Sequence, residues 1–369
     1  MISNLPNQIL NVLSSAGYEA YYVGGCVRDT ILGRPVHDWD VTTSALPEQV
    51  MACFDHCVPT GLKHGTVTVL LDGLSAEVTT FRTDGSYRDG RRPENVTFVR
   101  SLREDLARRD FTINAMAMDA GGEITDLYGG REDLAQHVIR CVGDPEQRFR
   151  EDALRMLRAL RFSAQLGFAV ETETAAAIVH CAPLCRGLSA ERVRDEVEKT
   201  LLSDHPERLR DMAELGLLEI CRPDCGRDTG VLALLPEIRE VRWAGLCGIW
   251  PELDLTALRL DKRTAQDAMF AGRCEVPKTR VAWKRLAAEQ GRNRMKLVAD
   301  LNGASAVAEE ILASGECIAL GELAVSGRDF PAVTGKSMGR LLTQILDHVL
   351  EHPEDNDREK LLKIYRRYD

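Results

Sequence analysis

Strand-like segments are confined to the first 138 residues of this sequence, and from about Phe149 onward amphipathic helical stretches replace them. The strand-like runs are Glu19 to Val23, Trp39 to Thr42, Gly65 to Leu71, Ala76 to Phe81 and Val96 to Phe98. Gly24-Gly25, Asp72-Gly73 and Asp89-Gly90 mark turns between them. A helix should follow Gly25, through Val27 to Leu32, and another should start after Arg108-Arg109-Asp110. The later stretches Glu151 to Leu166, Glu173 to Cys181, Ala190 to Leu202 and Glu207 to Leu215 read as helices. Pro183, Pro206, Gly216 and Pro223 punctuate them. A chain of 369 residues is too long for one ordinary core, so two or three domains are expected. The pattern predicts an α+β protein, an α/β domain with an all-helical remainder.

Composition narrows the function classes. With 44% hydrophobic and 28% charged residues the chain is an ordinary globular mix. It lacks a run of eighteen apolar residues, so no membrane-spanning helix is expected. Met1 to Pro6 lacks a basic stretch followed by an apolar one, so no signal peptide is expected. Eleven scattered cysteines, an odd number, read as reduced thiols in a cytoplasmic protein. The net charge of −10 argues against a protein that coats nucleic acid. Yet Arg82, Arg88, Arg91, Arg92, Arg100, Arg103, Arg108 and Arg109 fall close together, and Arg358, Lys360, Lys363, Arg366 and Arg367 form a second basic cluster. Local basic surface on an acidic protein suits a polyanion that binds and leaves. A solvated charged face accounts equally well for the C-terminal cluster.

The most informative stretch is Tyr22-Val23-Gly24-Gly25-Cys26-Val27-Arg28-Asp29, followed by His37-Asp38-Trp39-Asp40-Val41. A strand entering two glycines and then a helix lets a phosphate approach the backbone. The helix start offers N–H groups and partial positive charge, to which Arg28 can add a bidentate contact. Asp38 and Asp40 share a face if their strand extends back by one residue. Paired carboxylates repel unless a cation lies between them, and oxygen ligands suit Mg²⁺. Glu77, in the run Ala76 to Phe81, is a candidate third carboxylate, with Asp72 as its rival. Alternation there puts Glu77, Thr79 and Phe81 on one face. Two solvated aspartates at a strand end would give the same short signature.

Longer motifs raise the odds. Gly24-Gly25-x-Val27-Arg28-Asp29 with Asp38-x-Asp40 resembles the signature of the class II nucleotidyltransferases, which comprise bacterial and eukaryotic CCA-adding enzymes and bacterial poly(A) polymerases. Arg108 to Ala117, Asp126 to Leu134 and Glu151 to Phe162 resemble the family's next three motifs, in the same order. The specific resemblance spans roughly Tyr22 to Arg194. It implies a polymerase-beta-like nucleotidyltransferase head over 1–138, a helical neck over 139–205 carrying the nucleotide-selecting motif, and a tRNA-binding body and tail over 206–369. By the same resemblance Asp38 and Asp40 hold metal, two Mg²⁺ ions in all. Gly24, Gly25 and Arg28 would take the triphosphate, while Arg109, Arg158 and Arg161 add contacts to the nucleotide.

Thr60 to Val69 resembles the CCA-adding form of its hairpin rather than the poly(A) polymerase form. The segment Arg82 to Pro93 resembles the loop that enzymes adding only the two cytidines lack. The implied reaction is transfer of CMP or AMP from CTP or ATP to a tRNA 3′ end, with pyrophosphate released. An A-adding enzyme with a separate CC-adding partner shares these motifs and stays open, whereas Asp38, Asp40, Arg109, Asp152 and Arg155 together argue against a non-catalytic RNA-binding relative. The oligomeric state is not fixed, a homodimer being one option.

Base choice without a template needs a reader on the protein. Asp152 and Arg155, three apart, would be neighbours on one helix, with Glu151 placed to orient Arg155. A carboxylate accepts from the exocyclic amine of C or A, which U and G lack at that place. An ordinary helix salt bridge would look the same in sequence. Arg155, Arg158 and Arg161 would form a cationic ribbon on that helix, alongside an apolar one. The pairs Cys53/Cys57, Cys181/Cys185 and Cys221/Cys225 have a spacing zinc allows, but no sign of convergence. Thr334 to Ser337 resembles part of a P-loop, but Phe330 stands where its first glycine is required.

Overall fold

A computed structural model describes residues 4–71, 73–84, 96–224 and 226–365. Asp72, Arg88, Arg91, Arg92, Cys225, Arg366 and Arg367, and the part of the Arg82 to Pro93 segment beyond Asp84, lie outside the described residues. The chain divides into two compact units, Met1–Cys221 and Arg222–Asp369.

The first unit is built on a mixed sheet. Its strands are β1 (Ala20–Val23), β2 (Trp39–Thr43), β3 (Cys57–Gly61), β4 (Thr66–Leu71) and β5 (Leu74–Thr80). A two-stranded pair follows, β6 (Arg82–Asp84) with β7 (Val96–Phe98), and then β8 (Met116–Met118) and β9 (Ile124–Asp126) complete the main sheet. The seven strands of that sheet run in the order β3-β4-β5-β2-β1-β8-β9. Within this sheet, among the described residues, only β2 and β5 pair in parallel; their register sets Asp40 opposite Glu77. Val41, Val67, Val69 and Val78 are buried, while Asp40 and Glu77 are exposed. The hydrophobic effect thereby fixes the register, because a slip of one residue would exchange the two sets.

Helices α1 (Asn4–Ser15), α2 (Gly25–Ile31), α3 (Pro47–Cys53), α4 (Leu102–Ala107) and α5 (Gly130–Ala135) accompany the sheet. Ile9, Leu10 and Leu13 of α1 are almost wholly buried. The expected helix after Asp110 does not form. α4 ends before Arg108, and a single 3₁₀ turn over Thr112–Asn114 leads into β8. Phe111, Thr112 and Ile113 are buried there, so tertiary packing overrides helical continuation. Phe81 is also placed differently from the expected alternation: β5 stops at Thr80, and Phe81 is fully buried rather than sharing the face of Glu77.

Five helices complete the unit: α6 (Pro145–Glu151), α7 (Leu154–Leu166), α8 (Thr172–Cys181), α9 (Ala190–Leu201) and α10 (Arg208–Glu214). A two-residue parallel pair, β10 (Val138–Ile139) with β11 (Ala169–Val170), is an exception to the all-helical expectation. The expected single helix from Glu151 to Leu166 is two helices. Asp152 turns extended, with φ −147° and ψ 104°, and its Oδ1 accepts the Leu154 amide at 3.1 Å. That side-chain acceptor satisfies an amide at the start of α7 and allows a new helix axis to begin.

The second unit is helical: α11 (Arg239–Ile249), α12 (Lys262–Arg273), α13 (Arg280–Gln290), α14 (Arg292–Leu301), α15 (Ser305–Ala313), α16 (Lys336–Glu351) and α17 (Arg358–Ile364). Helices α11 and α12 approach closely at glycines, and a Cβ on Gly272 would lie 2.5 Å from the Ala244 carbonyl oxygen. Lys284 is buried and donates to Glu316 at 2.7 Å. Part of the C-terminal basic cluster is spent inside the unit, with Arg358 paired to Asp329 at 2.6 Å and Lys360 bonded to the Glu354 carbonyl. Among the described residues no helix is long and apolar enough to cross a membrane.

Candidate active site

The strand β1, the glycine turn and the strand β2 assemble the first half of the site. Gly24 adopts φ 75° and ψ −135°, a conformation that side chains rarely take. A Cβ there would also stand 3.2 Å from Arg109 Nη1 and 3.6 Å from Asp40 Oδ2. Gly24, Arg109 and Asp40 therefore meet at one point, from three separate segments. Asp40 faces Glu77 across the parallel register, and Asp38 precedes β2 by one residue. Desolvation raises the pKa of Asp40; Arg109 pulls it down, and the charges of Glu77 and Asp38 push it up again. The carboxylates thus repel one another, and Arg109 opposes that repulsion while burial keeps the Asp40 pKa raised.

Arg28 lies one helical turn into α2, 8% exposed. Its Nε and Nη2 donate to the two oxygens of Asp29, both at 2.9 Å, and Nη1 donates to Asn114 Oδ1 at 2.9 Å. Gly25 is beside it, its Cβ position 3.5 Å from Arg28 Nη2. The structure thus holds Arg28 in a fixed pose on the glycine turn.

The second half is a shallow cavity of about 270 Å³ lined by Arg108, Arg109, Asp110, Asp152, Leu154, Arg155, Arg158 and Arg192. Arg109 belongs to both halves. Its placement depends on Asp105, which is fully buried on α4. Asp105 accepts from Arg108 Nε and Nη2 at 3.0 and 2.9 Å, from Arg109 Nη2 at 3.3 Å and from Thr42 Oγ1 at 3.2 Å. Burial alone would raise the Asp105 pKa, but Arg108 and Arg109 hold it below the usual carboxylate range. Arg109 Nε is buried without a hydrogen-bond partner among the described residues, an open donor inside the site.

Within the cavity Arg155 is held tightly. Its Nη1 donates to Glu151 Oε2 at 2.6 Å and to the Arg148 carbonyl at 3.1 Å, and its Nη2 donates to the Arg108 carbonyl at 3.1 Å. Glu151 orients Arg155, as the sequence suggested. Asp152 and Arg155, however, do not share a helix, because the chain breaks between α6 and α7. Asp152 instead pairs with Arg192 of α9 at 2.7 Å. Arg158 pairs with Asp110 at 2.6 Å. Burial would raise the Asp110 pKa, but Arg158, with Asn114 and Arg155, together outweigh it and bring the carboxyl down to about 2. Arg161 is away from the cavity lining, buried, bonded to Glu196 at 2.5 Å and to Gln165 at 2.6 Å. The expected cationic ribbon is thus neutralised residue by residue by Glu151, Asp110 and Glu196.

Two comparisons of sequence bear on this site. Residues 20–140 match the poly A polymerase head domain, and residues 167–225 match the probable RNA- and SrmB-binding site of polymerase A. The CCA-adding enzyme of Geobacillus stearothermophilus is 41% identical over 379 residues, covering 96% of this chain and 94% of that one. This chain belongs to the CCA-adding enzyme family. A second family member, from Limosilactobacillus reuteri, is 40% identical over 92% of this chain and 90% of its own. The solved CCA-adding enzyme of Bacillus stearothermophilus in complex with CTP superposes with a TM-score of 0.86 at 37% identity, covering 99% of this chain and 98% of that one. The Thermotoga maritima CCA-adding enzyme complexed with tRNA shares the fold, with a TM-score of 0.64 at 18% identity.

Set in this CCA-adding enzyme family fold, Asp105, Asp110, Glu196 and Arg192 are partners of the candidate-site side chains that sequence reading passed over. Asp105 had a readable signal, since it stands three and four residues before Arg108 and Arg109, the spacing of neighbours on a helix. Asp110 with Arg158, and Asp152 with Arg192, are separated by 48 and 40 residues, and no local spacing announces such pairs.

Proposed function

We propose that this chain adds C, C and then A to the 3′ end of tRNA, using CTP and ATP and no nucleic-acid template. The observation that carries the proposal is Arg109. Its Nη1 stands against the Gly24 turn, where Asp40 Oδ2 also approaches, and its side chain lines the Asp152/Arg155 cavity on the other side. A nucleotide spanning the two would set its triphosphate at the carboxylates and its base in the cavity.

The carboxylate set fits divalent metal. Asp38, Asp40 and Glu77 bring negative charge together, with the Arg109 guanidinium near Asp40. Among the described residues no group of three or more His, Cys, Asp or Glu side chains is placed to hold a metal ion by itself. Mg²⁺ in phosphoryl transfer takes one or two carboxylates and completes its shell with substrate phosphates and water. Two Mg²⁺ ions, when bound, would lower the pKa of the attacking 3′-hydroxyl and neutralise charge on the leaving pyrophosphate. In this proposal Asp38 and Asp40 hold the metals and Glu77 is the third carboxylate. The amides at Gly24 and Gly25, with Arg28, take the triphosphate. Arg109 and Arg158 add positive charge along it, and Arg161 holds Glu196, which in turn lies against Arg158. Asp152 accepts the exocyclic amine shared by C and A, and Arg155, fixed by Glu151, donates beside it. The buried acceptor left unpaired by a wrong base costs about 1–3 kcal/mol, enough to select.

We divide the chain functionally into a catalytic head (1–138), a selecting neck (139–205) and a tRNA-binding body and tail (206–369). We place the reaction in the cytoplasm, where tRNA is processed. The test uses purified protein, Mg²⁺, labelled CTP or ATP, and tRNA transcripts ending before CCA, after C and after CC. Correct C counts on the first two and one A on the third are expected. Extension of the CC-ended tRNA alone, by ATP alone, would make this an A-adding enzyme. Long A tails on any RNA would make it a poly(A) polymerase.

A further inference from the structure

Arg192 enters the cavity from α9, an element separate from the α6–α7 junction that presents Asp152 and Arg155. Its Nη2 donates to Asp152 Oδ2 at 2.7 Å, while Asp152 Oδ1 accepts the Leu154 amide at 3.1 Å. The carboxylate is therefore gripped at both oxygens and cannot turn freely. Each ionised oxygen still has a lone pair for a further donor. The other arm of the same guanidinium is the unusual part. Arg192 Nη1 is buried and has no hydrogen-bond partner among the described residues. A buried donor without a partner is costly, and native structures rarely keep one unless something else arrives to pair with it. By contrast, the Nη1 of Arg155 already serves Glu151 Oε2 and the Arg148 carbonyl.

We infer that Arg192 is a specificity-determining residue of this site, clamping Asp152 in its reading pose and donating Nη1 to the incoming nucleotide. This inference rests on the proposed transfer reaction. In cytosine and adenine the ring atom next to the exocyclic amine is an acceptor. In uracil and guanine the corresponding ring atom carries hydrogen, and an oxygen replaces the amine. The Asp152 acceptor with the Arg192 donor next to it, adding to that of Arg155, matches the first pair and clashes with the second. A site built to hydrogen-bond a group rejects the analogue that leaves it unpaired.

The test is single-nucleotide addition by wild type, Arg192→Ala and Arg192→Lys. The C-ended tRNA is extended with CTP against UTP, and the CC-ended tRNA with ATP against GTP. Arg192→Ala should lower both kcat/KM ratios by about tenfold or more, the scale of one lost hydrogen bond to a charged group. Arg192→Lys keeps a cation on Asp152 without the second arm, so its ratios should fall between the two. Should Arg192→Ala not fold, Arg192→Gln is read by the same ratios. Ratios unchanged in the variants, with activity retained or lowered equally for right and wrong nucleotides, would overturn the inference and leave the transfer reaction standing. Wild type that extends neither primer would overturn the reaction itself.

Discussion

Replacing Asp105 with Asn tests whether one buried carboxylate organises the site. Asp105 is 0% exposed and answers Arg108, Arg109 and Thr42, as well as the backbone amide of Arg82. Asparagine keeps the shape but removes the charge, and turns its amide hydrogens toward guanidinium groups that also carry hydrogen. Breaking a buried ion pair costs about 3–5 kcal/mol. The two guanidiniums keep 17% of their side-chain surface in water, so the lower end applies, about 3 kcal/mol. For a unit of this size that is a fall of about 6–12 °C in unfolding midpoint at pH 7. The sign with pH follows from the depressed folded pKa of Asp105. Its contribution is complete above the unfolded value of about 3.9 and is lost as pH falls through the folded value. The gap between wild type and variant should therefore close in acid. Thermal denaturation followed by circular dichroism at pH 7 and in steps below pH 4 reads both effects. A midpoint within about 2 °C of wild type at pH 7, or a gap that does not change with pH, would refute the reasoning.

Three other outcomes follow from the same geometry. Asp38→Ala and Asp40→Ala should abolish nucleotide incorporation while tRNA retention on a filter stays near wild type; near-normal turnover in either would remove the proposed metal site. Because burial, and then the like charges of Glu77 and Asp38, raise the Asp40 pKa, Asp40→Asn should raise the melting point without Mg²⁺ and remove the further rise that Mg²⁺ gives wild type, read by differential scanning fluorimetry. The Asp110 carboxyl, brought down to about 2 chiefly against burial by Arg158, contributes stability above about pH 4 that is lost towards pH 2, so Asp110→Asn should flatten the acid limb of an unfolding curve and leave neutral-to-alkaline curvature unchanged.

Much of the head was legible because its strands alternate. β4 and β5 bury Val67, Val69 and Val78 on one face, and that period of two also set Glu77 on the face opposite Val78. β3 was not legible, since Pro59 and Gly61 interrupt it and it lies at the sheet edge. β8 escaped as well, because Met116, Ala117 and Met118 are all buried and show no alternation. The break at Asp152 was hidden by apolar periodicity that continues across it; only the capping habit of aspartate hinted at it. At the site, residue types were legible and partners were not. Arg155, Arg158 and Arg161 look alike in sequence, yet Arg155 and Arg158 line the cavity and Arg161 serves Glu196. Their acids lie on other elements, and only the fold brings them together.

The strand order also governs when the site can exist. β1 pairs with β2 and with β8, so Tyr22 waits for both Val41 and Met118. Asp40 meets Glu77 only after the intervening β3 and β4 have looped out. Closing such loops costs entropy before any contact rewards it, so this sheet should mature slowly. In the second unit, α11 packs on α12, α13 on α14 and α14 on α15, each the next helix in the chain. Pulse-labelled hydrogen exchange during refolding should protect those helices before β1 and β2. The strands synthesised first would then wait for segments made later, and a ribosome-bound head would carry its aspartates on an incomplete sheet at least until Met118 had emerged.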